Sequence, residues 1–346
     1  MVLTFFSVVS FSQVSVTATS GTAGPTSYAT VSAAFAAINA GTHKGAVTIT
    51  INANTTEPTN PVALLKSASP SDYTSLLLKP QGDVVINSSS TPAAGRGIVE
   101  LSGADNVTID GDDPSTSGVR NLSIVSATSS SNSIACIRVS SNSTTGLDGA
   151  DNITVKNCII TGSRSSATST IESYGINMSN YSASSLTTGA YKNLNNVFEN
   201  NLVTRCFWGI YANGASSSYL NSGLVISSNT IGSSILASNI GRAGIYLSNT
   251  ASSVGASSAI IDNNDIRCGE VSPSGTNFNT YYVDISGIEL GSFVAGTKIR
   301  KNNIHDIYQP STDGWAAIGI HITGSSTCTG IEISNNFIFN IVASKY

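Results

Sequence analysis

Short alternating apolar and polar runs fill this chain from residue 45 onward, and Asn or Gly punctuates each of them. "VISSNTI" (225–231), "IIDNNDI" (260–266), "KIRKNNI" (298–304) and "EISNNFI" (332–338) share one pattern. Aligning it on a single asparagine selects Asn157, Asn200, Asn229, Asn264, Asn302 and Asn336. An apolar residue or Thr stands three places before each, and an apolar residue two places after. Successive asparagines are 43, 29, 35, 38 and 34 residues apart. A second element, Gly-Ile-x-apolar, alternates with the first: "GINM" at 175, "GIYA" at 209, "GIYL" at 244, "GIEL" at 287 and "GIHI" at 319.

Repeats of this length hold two or three short strands each, too little to bury a core alone, so they bury one by stacking. Period-2 alternation sends one side chain inward and the next outward. Asn tolerates the left-handed backbone of a sharp corner. Stacked at one corner, asparagine amides can also hydrogen-bond along the axis at the strand spacing of about 4.8 Å. The reading is an all-β solenoid with Asn at a corner.

The segments "NVTIDG", "NITVKNCIITG" and "GIEISNNFIFN", with their Gly-Ile-x-apolar partners, resemble the right-handed parallel β-helix of the pectin-lyase-like superfamily across residues 45–346. The resemblance implies a secreted or surface protein of bacterial type. It leaves activity open, because that fold carries lyases, hydrolases, adhesins and phage proteins.

The remainder of the chain fits around this solenoid. "SYATVSAAFAAINAG" places Val31, Phe35 and Ile38 on one helical face, with Ser27 as N-cap and Gly41 as stop. A helix over 27–39, within an N-terminal cap of residues 14–44, would hide the open end of the solenoid. "GAVTITIN" (45–52) is then the first strand, "SLLLKP" and "DVVIN" are strands, and the Pro-rich stretch 58–70 is a surface excursion. Residues 1–13 resemble the remnant of a secretory signal, apolar but too short to span a bilayer. The solenoid is expected to continue past residue 346.

Composition sharpens this picture. Only 10% of the chain is charged, 40% is hydrophobic, and 31 residues are glycine. Strand and turn formers dominate. A net charge of −4 and the absence of basic runs argue against nucleic acid or an anionic membrane as partner. The five cysteines (136, 158, 206, 268, 328) match no metal or redox spacing and read mostly as small buried hydrophobes, with one disulfide left open.

Candidate chemistry sits where stacking makes columns. The x of Gly-Ile-x-apolar gives Asn177, Tyr211, Tyr246, Glu289 and His321, preceded by Arg138. Tyr211, Tyr246 and Asn177 could form a shelf for sugars, or an ordinary aromatic ladder. Two places before the corner Asn run Val155, Phe198, Ser227, Asp262, Arg300 and Ser334. Asp262 with Arg300 suits a lyase, or a surface ion pair. Asp110, Asp112 and Asp113 in "IDGDDP" are a weak carboxylate or Ca²⁺ candidate; they equally read as a turn. His305 and Asp306, with His321 one strand later, are the one His–acid grouping; His43 is remote. The reading is a rigid binding or adhesion scaffold that contacts glycans and needs no cofactor. The alternative is a polysaccharide lyase or glycoside hydrolase using Asp262, Arg300, Glu289 and His321.

Overall fold

The structure, a computed structural model, describes residues 13–90, 92–116, 118–126, 132–142, 148–163, 172–180, 191–250, 258–269, 284–310, 314–324 and 327–343. The signal-like reading of residues 1–13 falls almost wholly outside them. The chain is an all-β parallel solenoid with one small α-helix. Three sheets run along it. Sheet A has 11 described strands, ending with Val225–Ser227, Ile260–Asp262, Lys298–Arg300 and Glu332–Ser334. Sheet B has 9 and includes Thr230–Ile231, Asp265–Gly269, Asn303–Gln309 and Phe337–Ala343. Sheet C has 8 and carries the Gly-Ile-x-apolar strands Ser173–Asn180, Trp208–Asn213, Ala243–Ser248, Ile285–Leu290 and Ala317–Ile322. From coil to coil the strands pair in parallel.

Alternation fills the interior. Sheet A contributes Val155, Phe198, Ile226, Ile261 and Ile299, all fully buried and in register. Sheet B contributes Ile160, Val203, Ile231, Ile266 and Ile304 in the same way. In the last described coil, Ile333 and Ile338 occupy these columns but are 48% and 45% exposed, against 0% for Ile299 and Ile304 one coil earlier. A coil's apolar residues are therefore covered by the coil stacked above them, at about 1.5–3 kcal/mol for each side chain buried. Glycine in Gly-Ile-x is required by the same closeness. A Cβ on Gly209 would lie 2.4 Å from the Gly244 carbonyl oxygen and 2.8 Å from Ile231.

The sheet A–sheet B corner corrects the alignment. The continuous hydrogen-bonded column is Asn201, Asn229, Asn264, Asn302 and Asn336, and Asn157 and Asn200, whose amides bond each other at 2.7 Å, stand one place earlier. The doublet "NN" is two structural positions, and a single-asparagine alignment merges them. Its first member, with Ser228 and Lys301 as substitutes, makes the turn at φ between 49° and 58° in Asn157, Asn200, Asn263 and Asn335. The second member points inward. Each inner amide Nδ2 donates to the next coil's Oδ1 at 2.9–3.1 Å, and that Oδ1 also takes the backbone N–H at 2.9–3.0 Å. Cys158 fills the column's place before Asn201 and supplies only its backbone N–H, 3.0 Å from Asn201 Oδ1. The shift also moves the outward column of sheet A. Val155 and Phe198 are core residues, and the outward series is Asp110, Lys156, Glu199, Ser227, Asp262, Arg300 and Ser334.

At the N-terminal end, β1 (Val14–Gly21) pairs antiparallel with both β2 (Thr26–Tyr28) and β3 (His43–Ile51). The helix α1 spans Val31–Asn39 and buries Val31, Phe35 and Ile38 against β1, β3 and the strand Leu64–Leu65. Its N-cap is Thr30, not Ser27: Thr30 is extended and its Oγ1 accepts from Ala33 N–H at 3.0 Å, while Ser27 is spent pairing with Ser15 in β1. Buried Glu57 accepts from the next two free donors, Val31 N–H (3.0 Å) and Ser32 N–H (2.8 Å), placing a carboxylate at the positive end of the helix. Leu64–Leu65 lies inside the stretch 58–70 expected to be an excursion, and Leu64 is fully buried as the start of sheet C.

The two members of each doublet should behave oppositely. Asn264→Ala strands the Asn229 N–H and the Ile226 carbonyl in the interior and should cost about 3 kcal/mol or more in denaturant unfolding. Asn263→Gly relieves a positive φ and should change stability by less than about 1 kcal/mol.

Candidate functional site

The outward face of sheet C holds the densest polar and aromatic chemistry among the described residues. Register places one column through Glu100, Arg138, Asn177, Tyr211, Tyr246, Glu289 and His321. A second column, just before the motif glycines, runs Ala135, Tyr174, Trp208, Ala243 and Ser286. The two interlock. Tyr211 and Tyr246 stack at 4.7 Å and 12°, and Trp208 meets each of them edge-on at 5.2 Å. Tyr174 meets Tyr211 edge-on at 5.2 Å and donates its hydroxyl hydrogen bond to Glu172.

This packing changes the expected shelf. Tyr211 is 5% exposed and Asn177 is wholly buried, so neither offers a face to a sugar; Trp208 and Tyr174 have taken it. Half-buried Tyr246 is the tyrosine that still meets solvent. Beside it, Arg242 lies with its guanidinium carbon 4.3 Å from the Trp208 ring centroid and its Nη2 4.0 Å from Glu289 Oε1. Among the described residues, Arg242 Nε, Trp208 Nε1 and the His321 ring nitrogen Nδ1 are buried with no hydrogen-bond partner. Burial pushes the Glu289 carboxyl up from its ordinary range, with Arg242 and then His321 opposing. Burial likewise raises the Tyr211 and Tyr246 phenols. Nearer the start of the sheet, buried Glu100 is gripped bidentately by Arg96 (2.9 and 2.7 Å), with the buried Arg138 guanidinium 3.8 Å away.

The four residues named for a lyase or hydrolase do not converge. Asp262 and Arg300 pair at 4.0 Å on sheet A, while Glu289 and His321 neighbour each other on sheet C. They sit on different faces because Asp262 leads into the Asn corner and Glu289 follows a Gly-Ile strand start. The sheet A pair, like Asp110–Lys156 at 3.2 Å, is a partly exposed ion pair of small value. Asp110, Asp112 and Asp113 are spent on their own loop and the neighbouring coils: Asp110 Oδ1 accepts from Asp112 N–H and Asn157, Asp112 Oδ2 from Gly118 N–H, and Asp113 from Gly82 and Ser115 N–H. No group of three or more His, Cys, Asp or Glu that could hold a metal ion occurs among the described residues. His43 is buried between Tyr28 Oη and the Thr22 carbonyl, each 2.7 Å away. All five cysteines are free thiols, four of them buried. His305 and Asp306 do meet, at 2.9 Å, joined by Asp265 and Arg267 on sheet B, whereas His321 stands on sheet C.

Arg242, Trp208, Tyr174 and Glu172 were not singled out from sequence. The signal for two of them was present: "SYG" and "CFWG" place an aromatic residue before Gly175 and Gly209, in a column as regular in spacing as the one after it.

No protein-family model matches the chain. No curated protein matches it either. Among solved structures it is similar to the A-module of mannuronan C-5 epimerase AlgE4 from Azotobacter vinelandii, at 14% identity over 91% of this chain and 92% of that one, with a TM-score of 0.33. It is also similar to the AlgE6 A-module from the same organism, at 12% identity over 91% and 94% with a TM-score of 0.34. Endopolygalacturonase I from Stereum purpureum, in complex with two galacturonates, gives 13% identity over 86% and 95% with a TM-score of 0.21. The solenoid itself rests on the strand register described above.

Because the folded carboxyl of Glu289 titrates above its unfolded value, its favourable contribution is complete below the unfolded range and is lost as pH rises through the folded one. Glu289→Gln should therefore flatten that part of the Tm–pH profile, leaving the variant more stable relative to the parent at pH 8 than at pH 4, by thermal melts.

Proposed function

We propose that this chain is a secreted or cell-surface β-solenoid module that holds polysaccharide along the outer face of sheet C. Its crossovers are right-handed, as parallel β connections almost always are, and α1 with β1 and β2 closes its N-terminal end. The observation that carries the reading is the Arg242 guanidinium, ordered over Trp208 beside half-exposed Tyr246 and short of hydrogen-bond partners. A cation next to an aromatic face suits a carboxylated sugar ring, which presents an apolar C–H surface and an acidic edge. The rigid stack of coils would repeat such contacts along an extended chain, which fits adhesion.

A second reading, a polysaccharide lyase or hydrolase, draws on a different observation. Glu289 is a carboxyl raised by burial, with Arg242 on one side and His321 on the next coil. A carboxyl tuned upward is suited to general acid–base work. Asp262 and Arg300 drop out of this reading, because they lie on another sheet.

The test is binding and turnover on one panel of uronic-acid and neutral polysaccharides. The scaffold reading expects retention of an acidic polysaccharide without unsaturated products or new reducing ends, and at least about tenfold weaker binding in Arg242→Ala and Tyr246→Ala. Turnover abolished by Glu289→Gln would install the enzyme reading instead.

A further inference from the structure

A groove of about 510 Å³ opens on sheet B, on a different face from Arg242 and Glu289. Its size falls within the roughly 300–1,000 Å³ typical of small-molecule sites. Its floor comes from two successive strands at a shared irregularity, where Asp306 and Asn340 both turn at φ 53°. Its wall is the excursion at residues 233–239, which includes the 3₁₀ turn Leu236–Ser238.

Asn239 is the built part of this wall. It is 1% exposed yet lines the groove. Its Oδ1 accepts from Ser233 N–H at 3.1 Å and Ile240 N–H at 2.9 Å, which fixes the amide orientation. The Nδ2 donor is thereby turned away from the backbone and has no protein partner among the described residues. Gly232 makes room for this arrangement: at φ +96°, a Cβ there would meet Asn239 Oδ1 at 2.5 Å. Across the groove stands Asp306, whose carboxylate takes Asn340 Nδ2 and His305 Nδ1 and lies 3.9 Å from Arg267. Asn340 and then His305 hold that carboxyl below its usual range, so it is an ionised acceptor. Tyr308 and Val342 add apolar surface to the lining.

We infer that this groove is a second binding site, for a neutral pyranose such as a branch or end unit of a glycan. A pyranose has an apolar ring face for Tyr308 and Val342 and vicinal hydroxyls that bridge a fixed donor to a fixed acceptor. The described lining contains no cation to pair with a uronate and carries the Asp306 carboxylate, whose partner Arg267 lies outside the lining. This site is independent of the sheet C reading.

The test is titration of the ¹⁵N-labelled chain with the methyl glycosides of glucose, galactose and mannose, and with galacturonate, read by shifts of the Asn239 side-chain amide in the parent and of the Ser233 and Tyr308 backbone amides in parent and variants alike. At least one neutral glycoside should bind with a Kd of about 1–10 mM. Asn239→Asp keeps the Oδ1 acceptor and replaces the donor; Asp306→Asn keeps a residue that tolerates positive φ and removes the charge. Each should melt like the parent and weaken binding at least tenfold. Tyr246→Ala, on sheet C, should leave the titration unchanged. Silence of the Asn239 amide toward all three neutral glycosides, equal binding of galacturonate, or full affinity in both groove variants would each overturn the inference.

Discussion

The structure hangs on a buried amide that serves its own coil and its neighbour at once. Each inner Asn between Asn201 and Asn302 gives its N–H and one amide hydrogen to the Oδ1 of the next coil, and the other amide hydrogen to a strand carbonyl such as Phe198 O or Ile226 O. A sharp corner inside an apolar core would otherwise strand backbone donors and acceptors, at about 1–3 kcal/mol apiece. The left-handed residue just outside makes the bend, and the inner amide satisfies the groups that the bend exposes. The outer place also accepts Ser228 or Lys301, and Cys158 takes the inner place in one coil, so the division of labour belongs to the two positions.

With that corner pinned, every other column falls into line, sheet C included. Its outward positions are occupied by residues too bulky and too polar for a plain strand surface, and they bury one another: a clasped Glu100–Arg96–Arg138 group at one end, and Tyr174, Trp208, Tyr211 and Tyr246 further along. Chemistry survives only where the aromatic pile runs out, at Arg242, Tyr246, Glu289 and His321. Sheet B uses a different device. Irregular backbone at Asp306 and Asn340 throws side chains off the regular alternation and opens a groove where a flat sheet would have none.

Much of this is legible in the sequence. Period-2 alternation and the Gly-Ile-x element locate the sheets, and Tyr211, Tyr246, Glu289 and His321 form one column, as their spacing from the motif glycine predicts. The misplaced residues have identifiable causes. "ENNL" offers two asparagines and alternation alone does not say which faces inward; choosing Asn200 over Asn201 displaces Phe198 to the wrong side. Ser27 looks like a cap because local pattern carries no news of β1 arriving to pair with it. Burial of Tyr211 depends on Trp208 from the same strand and Tyr174 from the coil below, a packing outcome that no spacing encodes.

The corner also settles where this architecture can grow. Successive inner asparagines are 28, 35, 38 and 34 residues apart, yet the sheet A–sheet B junction is the same few residues each time. The length variation falls in the connections that leave sheet B and sheet C. Insertions there leave the ladder of inner asparagines unbroken, so new specificities could be trialled on this frame with its spine left untouched.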